Sequence, residues 1–131
     1  MTELPLENRR WLTVSALLGA SAVGLGAWGS HGLRHSVSPE LLSVWRTGVE
    51  YQMFHTLAAL AIAVGARRLE RWRWTLRLWV LGIGLFSGSL YVLVLSEWRL
   101  LGVITPFGGL SLISGWLGLV FAARNRISAN P

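Results

Sequence analysis

The stretch from Trp45 to His55, Trp-Arg-Thr-Gly-Val-Glu-Tyr-Gln-Met-Phe-His, holds the densest set of chemically capable side chains and heads an otherwise apolar segment. Between Glu50 and His55 it offers a carboxylate, a phenol, a carboxamide and an imidazole. At about 100° per residue, Gly48, Tyr51, Gln52 and His55 share one helical face, while Glu50 points about 140° away from His55, nearer Arg46 and Thr47. The Tyr/Gln/His face is expected to point into protein. Ligation of a haem or metal, proton-coupled transport and hydrolysis are the chemistries to weigh against this set.

Neutral imidazole is a common ligand, and four-helix bundles hold such cofactors, so His55 and His31 raise a metal or haem site. Depth separates them. His31 falls about 20 residues after the first apolar run begins, whereas His55 lies some eight residues below the same interface, roughly 12 Å at 1.5 Å per residue. A shared ion would need the first helix one or two turns deeper. His55 is therefore read as a structural histidine hydrogen-bonded between helices, with a proton-responsive site as the alternative, and His31 as a surface or capping residue. No metal and no cofactor are expected.

Glu50 is the only carboxylate near hydrocarbon depth, and an ionised group there is expensive unless it pairs, snorkels or protonates. Arg46, one turn earlier, is the expected partner. Proton-coupled transport wants an acid near mid-membrane, and the interiors of the other three apolar runs contain none. Hydrolysis fares worse. Ser87 and Ser89 have no aspartate to work with anywhere in the chain, and no Gly-x-Ser-x-Gly elbow is present. Gly24-Leu25-Gly26 and Gly82-Ile83-Gly84 lie inside apolar runs and are not nucleotide loops. Without cysteine there is no thiolate ligand or nucleophile. No catalytic residue is expected.

The elements that must position these groups follow from composition. A chain of 131 residues that is 53% hydrophobic and 14% charged, with 8 Trp and 15 Gly, is too apolar for a soluble domain and reads as one all-α membrane domain. The net charge of +6 comes entirely from arginine. Because the arginines flank apolar runs, anionic lipid rather than nucleic acid is the expected counter-charge. Expected partners are the lipid bilayer and other membrane proteins or a second copy.

Met1 to Arg10 reads as a polar leader outside the hydrocarbon, followed by a first span at about 11–30, near the ~20 residues that cross a ~30 Å core. A competing reading is a signal peptide cleaved after Ala20-Ser21-Ala22, but the apolar run continues to Trp28. Ser38 or Pro39 opens a short interfacial helix toward Trp45, and a second span runs at about 47–66. Arg67, Arg68, Arg71 and Arg73 bracket Glu70 and Trp72 in a basic loop. A third span covers about 75–96, and Glu97, Trp98 and Arg99 turn the chain. Thr105-Pro106 then caps a fourth span at about 105–123. Arginine is concentrated in the leader, the middle loop and the tail (Arg124, Arg126), so the positive-inside rule places both termini in the cytoplasm.

Small residues at three- and four-residue spacing let helices approach closely in lipid. The expected packing stripes are Ala16, Ala20, Val23 and Ala27; Gly84, Ser87, Gly88 and Tyr91; and Ser111, Ser114, Gly115, Gly118 and Ala122. Polar groups at the outer level should turn inward and satisfy one another, since lipid offers them no partner. Glu50, Tyr51, Gln52, His55, Ser87, Tyr91 and Thr105 form the candidate polar cluster. Its expected centre is His55 and Gln52, with Tyr91 or Ser87 beside them.

Four segments in order carry a resemblance: Gly26-Ala27-Trp28-Gly29-Ser30-His31-Gly32, Trp45 to His55, Phe86-Ser87-Gly88-Ser89-Leu90-Tyr91, and Thr105-Pro106-Phe107-Gly108-Gly109 with Gly115-Trp116. Together they resemble the domain-of-unknown-function 423 family, the YgdD-like bacterial inner-membrane proteins, over roughly residues 10–126. Trp28 stands where phenylalanine is expected. The resemblance implies four transmembrane helices and an inner-membrane location, and it implies no activity. The expected function is that of a non-enzymatic accessory or assembly subunit, with a small transporter or ligand-binding membrane protein as the alternative.

Overall fold

The computed structural model describes residues 4–66 and 72–127, with side chains to residue 122. The expected basic loop at Arg67, Arg68, Glu70 and Arg71, and the side chains of Arg124 and Arg126, lie outside the described residues. Four helices follow one another: α1 (Leu6–His31), α2 (Pro39–Gly65), α3 (Arg73–Ser96) and α4 (Thr105–Ile127). Short 3-10 turns at Leu33–His35 and Arg99–Val103 make two of the connections. Among the described residues every regular element is helical. The end where α1 and α3 finish and α2 and α4 begin is called the upper end below.

Local chemistry sets these boundaries. Ser38 is extended and its Oγ accepts the Leu41 N–H at 3.3 Å, with Pro39 at the first helical position. Glu40 follows, and hydrogen bonds from its own backbone N–H and from Ser38 hold its carboxyl below the ordinary value. No breaker stands between Glu40 and Thr47, so the expected interfacial helix and second span form one unbroken helix. At the end of α3, Glu97 takes the left-handed conformation (φ 55°) usual for a helix-terminating glycine, and Trp98 N–H reaches Ser96 Oγ at 3.3 Å.

The leader is not a polar overhang. α1 starts at Leu6, and Asn8 is buried, its Nδ2 donating to the carbonyls of Ala63 and Ala66 at 2.9 Å each. Those carbonyls belong to the last turn of α2 and its cap, where a helix has no partners of its own, so the amide satisfies groups that lipid would strand. Glu7 pairs with Arg73 beside it, Oε1 to Nε 3.4 Å.

Glycine decides how closely the helices approach. A Cβ on Gly29 would lie 2.6 Å from the Trp45 ring, and one on Gly48 would lie 2.8 Å from Tyr91. Gly108 abuts the backbone of Phe86, and Gly82 faces Leu112. α1 thus packs on α2, α2 on α3, and α3 on α4. Two clusters fill the interior: Leu33, Trp45 and Val94 at the upper end, and Ala59, Leu76, Trp79, Ile83 and Leu112 below them.

The expected stripe on α1 is the wrong face. Ala16, Ala20, Val23 and Ala27 are exposed, whereas Ser15, Ala22 and Gly29 are buried. Both faces carry small residues at helical spacing, so periodicity alone does not choose between them; Trp45 does, by filling the notch at Gly29. On α3 the stripe divides. Ser87 and Tyr91 face protein, while Gly84 and Gly88 have open space where a Cβ would stand. On α4, Gly115 and Gly118 pack against Trp79 and Thr75, and Ser111 donates to the Leu78 carbonyl at 2.7 Å, but Ser114 is exposed.

The segments 6–35, 73–96 and 99–122 are each long and apolar enough to cross a membrane. α2 is not among these segments, and it is the helix that carries Glu50, Gln52 and His55. Large apolar side chains such as Leu17, Phe54, Leu57, Leu110 and Phe121 are exposed around the outside. Such a surface suits lipid.

Candidate functional site

Helix phase brings the polar side chains of α2 against three different neighbours. Gln52, 3% exposed, is the most fully used. Its Nε2 donates to the Leu18 carbonyl and to Ser21 Oγ, both at 2.8 Å, and its Oε1 accepts the Tyr91 hydroxyl at 2.8 Å. One carboxamide therefore joins α1, α2 and α3. Both N–H groups are consumed, which fixes which end of the amide is nitrogen.

Trp45 closes this network from above. Its indole Nε1–H donates to the Leu25 carbonyl at 2.9 Å, Trp28 meets it edge-on at 5.3 Å, and the Tyr91 ring lies 4.7 Å away. A buried indole needs a partner for its one donor, and an α1 carbonyl supplies it.

His55 forms a second and separate knot. Trp116 on α4 donates Nε1–H to its Nε2 at 3.0 Å, and Nδ1 lies 2.7 Å from the Tyr51 carbonyl. Because indole is only a donor, Nε2 must be the acceptor, so the proton sits on Nδ1 and points at the carbonyl. The imidazole is held as one neutral tautomer. Trp79 and Trp116, 4.8 Å apart, flank it edge-on at 6.1 and 6.0 Å. The Nε2 lone pair that a haem or metal would use is occupied by Trp116. His31, the other imidazole of that reading, is exposed at the end of α1, and among the described residues no three His, Cys, Asp or Glu side chains gather to hold a metal.

The remaining members of the expected cluster go elsewhere. Tyr51 is 42% exposed and stacks on Phe86 at 4.4 Å, so only part of its ring faces protein. Ser87 is buried but makes no hydrogen bond, and Tyr91 alone is the neighbour that Gln52 uses. Thr105 belongs to a third contact, its Oγ1 2.8 Å from Ser89 Oγ, which ties α4 to α3; it is already the first residue of α4 rather than the cap before it. Glu50 is exposed, and the expected pair with Arg46 is not formed: among the described residues the ion pair is Glu7 with Arg73. Both Arg46 and Glu50 are exposed on the outside of α2.

Sequence reasoning missed Asn8, Ser21 and Trp116. Ser21 was read only as part of a cleavage site, and Trp116 only as part of a family motif. An indole at membrane depth, whose N–H needs an acceptor that lipid cannot supply, was the signal available for Trp116.

Helices with a lipid-suited exterior, joined by hydrogen bonds such as those of Gln52 and His55 across their interfaces, define a polytopic helical membrane protein. Residues 25–109 match the family described as "Protein of unknown function (DUF423)", and the chain belongs to that family. It is 44% identical to a UPF0382 membrane protein of Haemophilus influenzae over 88% of this chain and 94% of that one. It is likewise 44% identical to the UPF0382 inner membrane protein YgdD of Escherichia coli over 91% and 93% of the two chains. The UPF0382 membrane protein YwdK of Bacillus subtilis is 41% identical over 86% and 94%. No solved structure matches the chain. The protein is an integral protein of the bacterial inner membrane, of a family whose names carry no activity.

Proposed function

We propose that the chain is a non-enzymatic, four-span membrane protein with both termini in the cytoplasm, serving as an accessory or assembly subunit of a larger membrane complex. The observation that carries the reading is the use made of the polar side chains. Gln52, Tyr91, His55 and Trp116 spend their hydrogen-bonding capacity on one another, on Ser21 and on backbone, leaving among themselves no base beside a nucleophile. Four spans are supported by α2 lying against both α1 and α3 along its length, with Gln52 turned toward both. Arginine placement supports the orientation.

Two measurements test this reading. An export-dependent reporter fused after Pro131 should be inactive and a cytoplasm-dependent one active; the reverse overturns the orientation. Purification in mild detergent should return a stoichiometric membrane partner and a visible spectrum without a Soret band. Transport is the second reading, favoured by the buried hydroxyls of Ser15, Thr56 and Ser87, which have no hydrogen-bond partner in the α1–α2–α3 interior. Proton flux in proteoliposomes of the purified chain alone, lost in Thr56→Val, would favour it over the subunit reading.

A further inference from the structure

At the upper end a cavity of about 490 Å³ opens between the start of α2 and the end of α3. Its apolar wall is Val37, Leu41 and Leu93, and its charged lining is Glu40, Glu97 and Arg99. The volume lies in the range of small-molecule sites. The reversal of the chain at Glu97, through its left-handed conformation, keeps Glu97 and Arg99 on the same cavity. None of the three charges is ion-paired within the described chain.

The level of the cavity narrows the class of ligand. Trp28 and Trp98 stand partly exposed at this end, the position that indoles take in the headgroup layer of a bilayer. A ligand at that depth that touches both Leu41 and the charged rim must be amphipathic. Two carboxylates and one guanidinium on the lining of one cavity, unpaired with one another, call for a cationic group with hydrogen to donate, accompanied by an anion. A guanidinium is well matched to phosphate, to which it donates two parallel hydrogen bonds. A glycerol phosphate headgroup brings only negative charge to two carboxylates, and a trimethylammonium group has no N–H to give them.

We propose that this cavity binds the phosphoethanolamine headgroup of a membrane lipid, with the ammonium taken by Glu40 and Glu97, the phosphate by Arg99, and the glycerol end against Leu41 and Leu93. The inference stands apart from the subunit reading, because it requires only that this end of the bundle lie in a headgroup layer. The polar rim is open to water, so each contact is weak and selectivity comes from their sum.

The test is native mass spectrometry of the delipidated full chain, given phosphatidylethanolamine, phosphatidylcholine or phosphatidylglycerol with identical acyl chains. Phosphatidylethanolamine should be retained about fivefold better than the other two, the ratio that two exposed charge pairs supply. The double variant Glu40→Gln, Glu97→Gln should bring it down to the level of phosphatidylcholine, and Arg99→Gln should weaken both of these lipids alike. Unchanged unfolding curves for the variants, all at exposed positions, show that the fold is intact. Equal retention of the three lipids, or a preference that survives the double variant, overturns the proposal. Soluble glycerophosphoethanolamine competing as well as the whole lipid overturns the lipid as occupant.

Discussion

In the upper half of the bundle Trp45, Gln52, Tyr91, His55 and Trp116 join helices through directed hydrogen bonds, whereas in the lower half Ala59 on α2 packs with Leu76 and Ile83 on α3 in an apolar cluster. The lower half has fewer polar contacts: Ser111 to the Leu78 carbonyl and, at its far end, Asn8 and the Glu7–Arg73 pair. Lipid tails are as apolar as leucine, so apolar contact in a membrane gains by close fit and not by leaving water. The lower half therefore leans more on steric fit, and the upper half holds the larger share of the bonds that fix which helix meets which.

The comparison breaks most visibly where fit meets backbone. Gly108→Val should cost about 3 kcal/mol or more, because its side chain would enter the backbone of Phe86, while Gly84→Val, facing open space, should cost little. Unfolding of both in detergent decides the matter; equal losses would mean that α3 and α4 do not pack through Gly108. Next in size is Gln52→Leu. It removes three bonds and leaves the Tyr91 hydroxyl buried without an acceptor, for an expected loss of about 2 kcal/mol in the same measurement. A neutral outcome would mean that the upper half is held by fit as well.

A smaller effect sharpens the account of the second knot. His55→Ala should cost about 1 to 2 kcal/mol and Leu57→Ala, on an exposed face, under about 0.5. A double-mutant cycle of His55→Phe with Trp116→Phe should give a coupling of about 0.6 to 1.7 kcal/mol, and no coupling would dissolve the bond between α2 and α4. Smallest is Glu7→Gln at the lower end. Both partners of that ion pair are more than a third exposed, so a loss below about 0.5 kcal/mol that fades with added salt is expected.

Much of this architecture is legible in one dimension. Three apolar runs of membrane-crossing length, a proline after Ser38 and an arginine bias between loops suffice for helices with roughly the right ends. Helix phase also places Gln52 and His55 inside, since Glu50 on the opposite side is free to meet the surface. What phase leaves open is the partner. Gln52 and His55 share a face yet bond to different helices, because the long amide reaches between α1 and α3 while the imidazole, one turn lower, meets the indole of Trp116.

The small residues show the same boundary. On α1 two stripes with equal spacing compete, one through Ala16, Ala20 and Ala27 and one through Ser15, Ala22 and Gly29, and only the bulk of Trp45 on another helix selects the second. Asn8 sits in a leader that composition reads as polar and external; its burial depends on two carbonyls at the end of α2 that are stranded only once α1 lies beside them. By itself the sequence determined which segments are helical and apolar and which α2 face is polar and inward, because those properties follow from transfer into lipid and the helical repeat. Tertiary structure alone decided which α1 face packs, which residues complete each hydrogen bond, and where charges line a cavity, because these depend on atoms brought together from helices far apart in the chain.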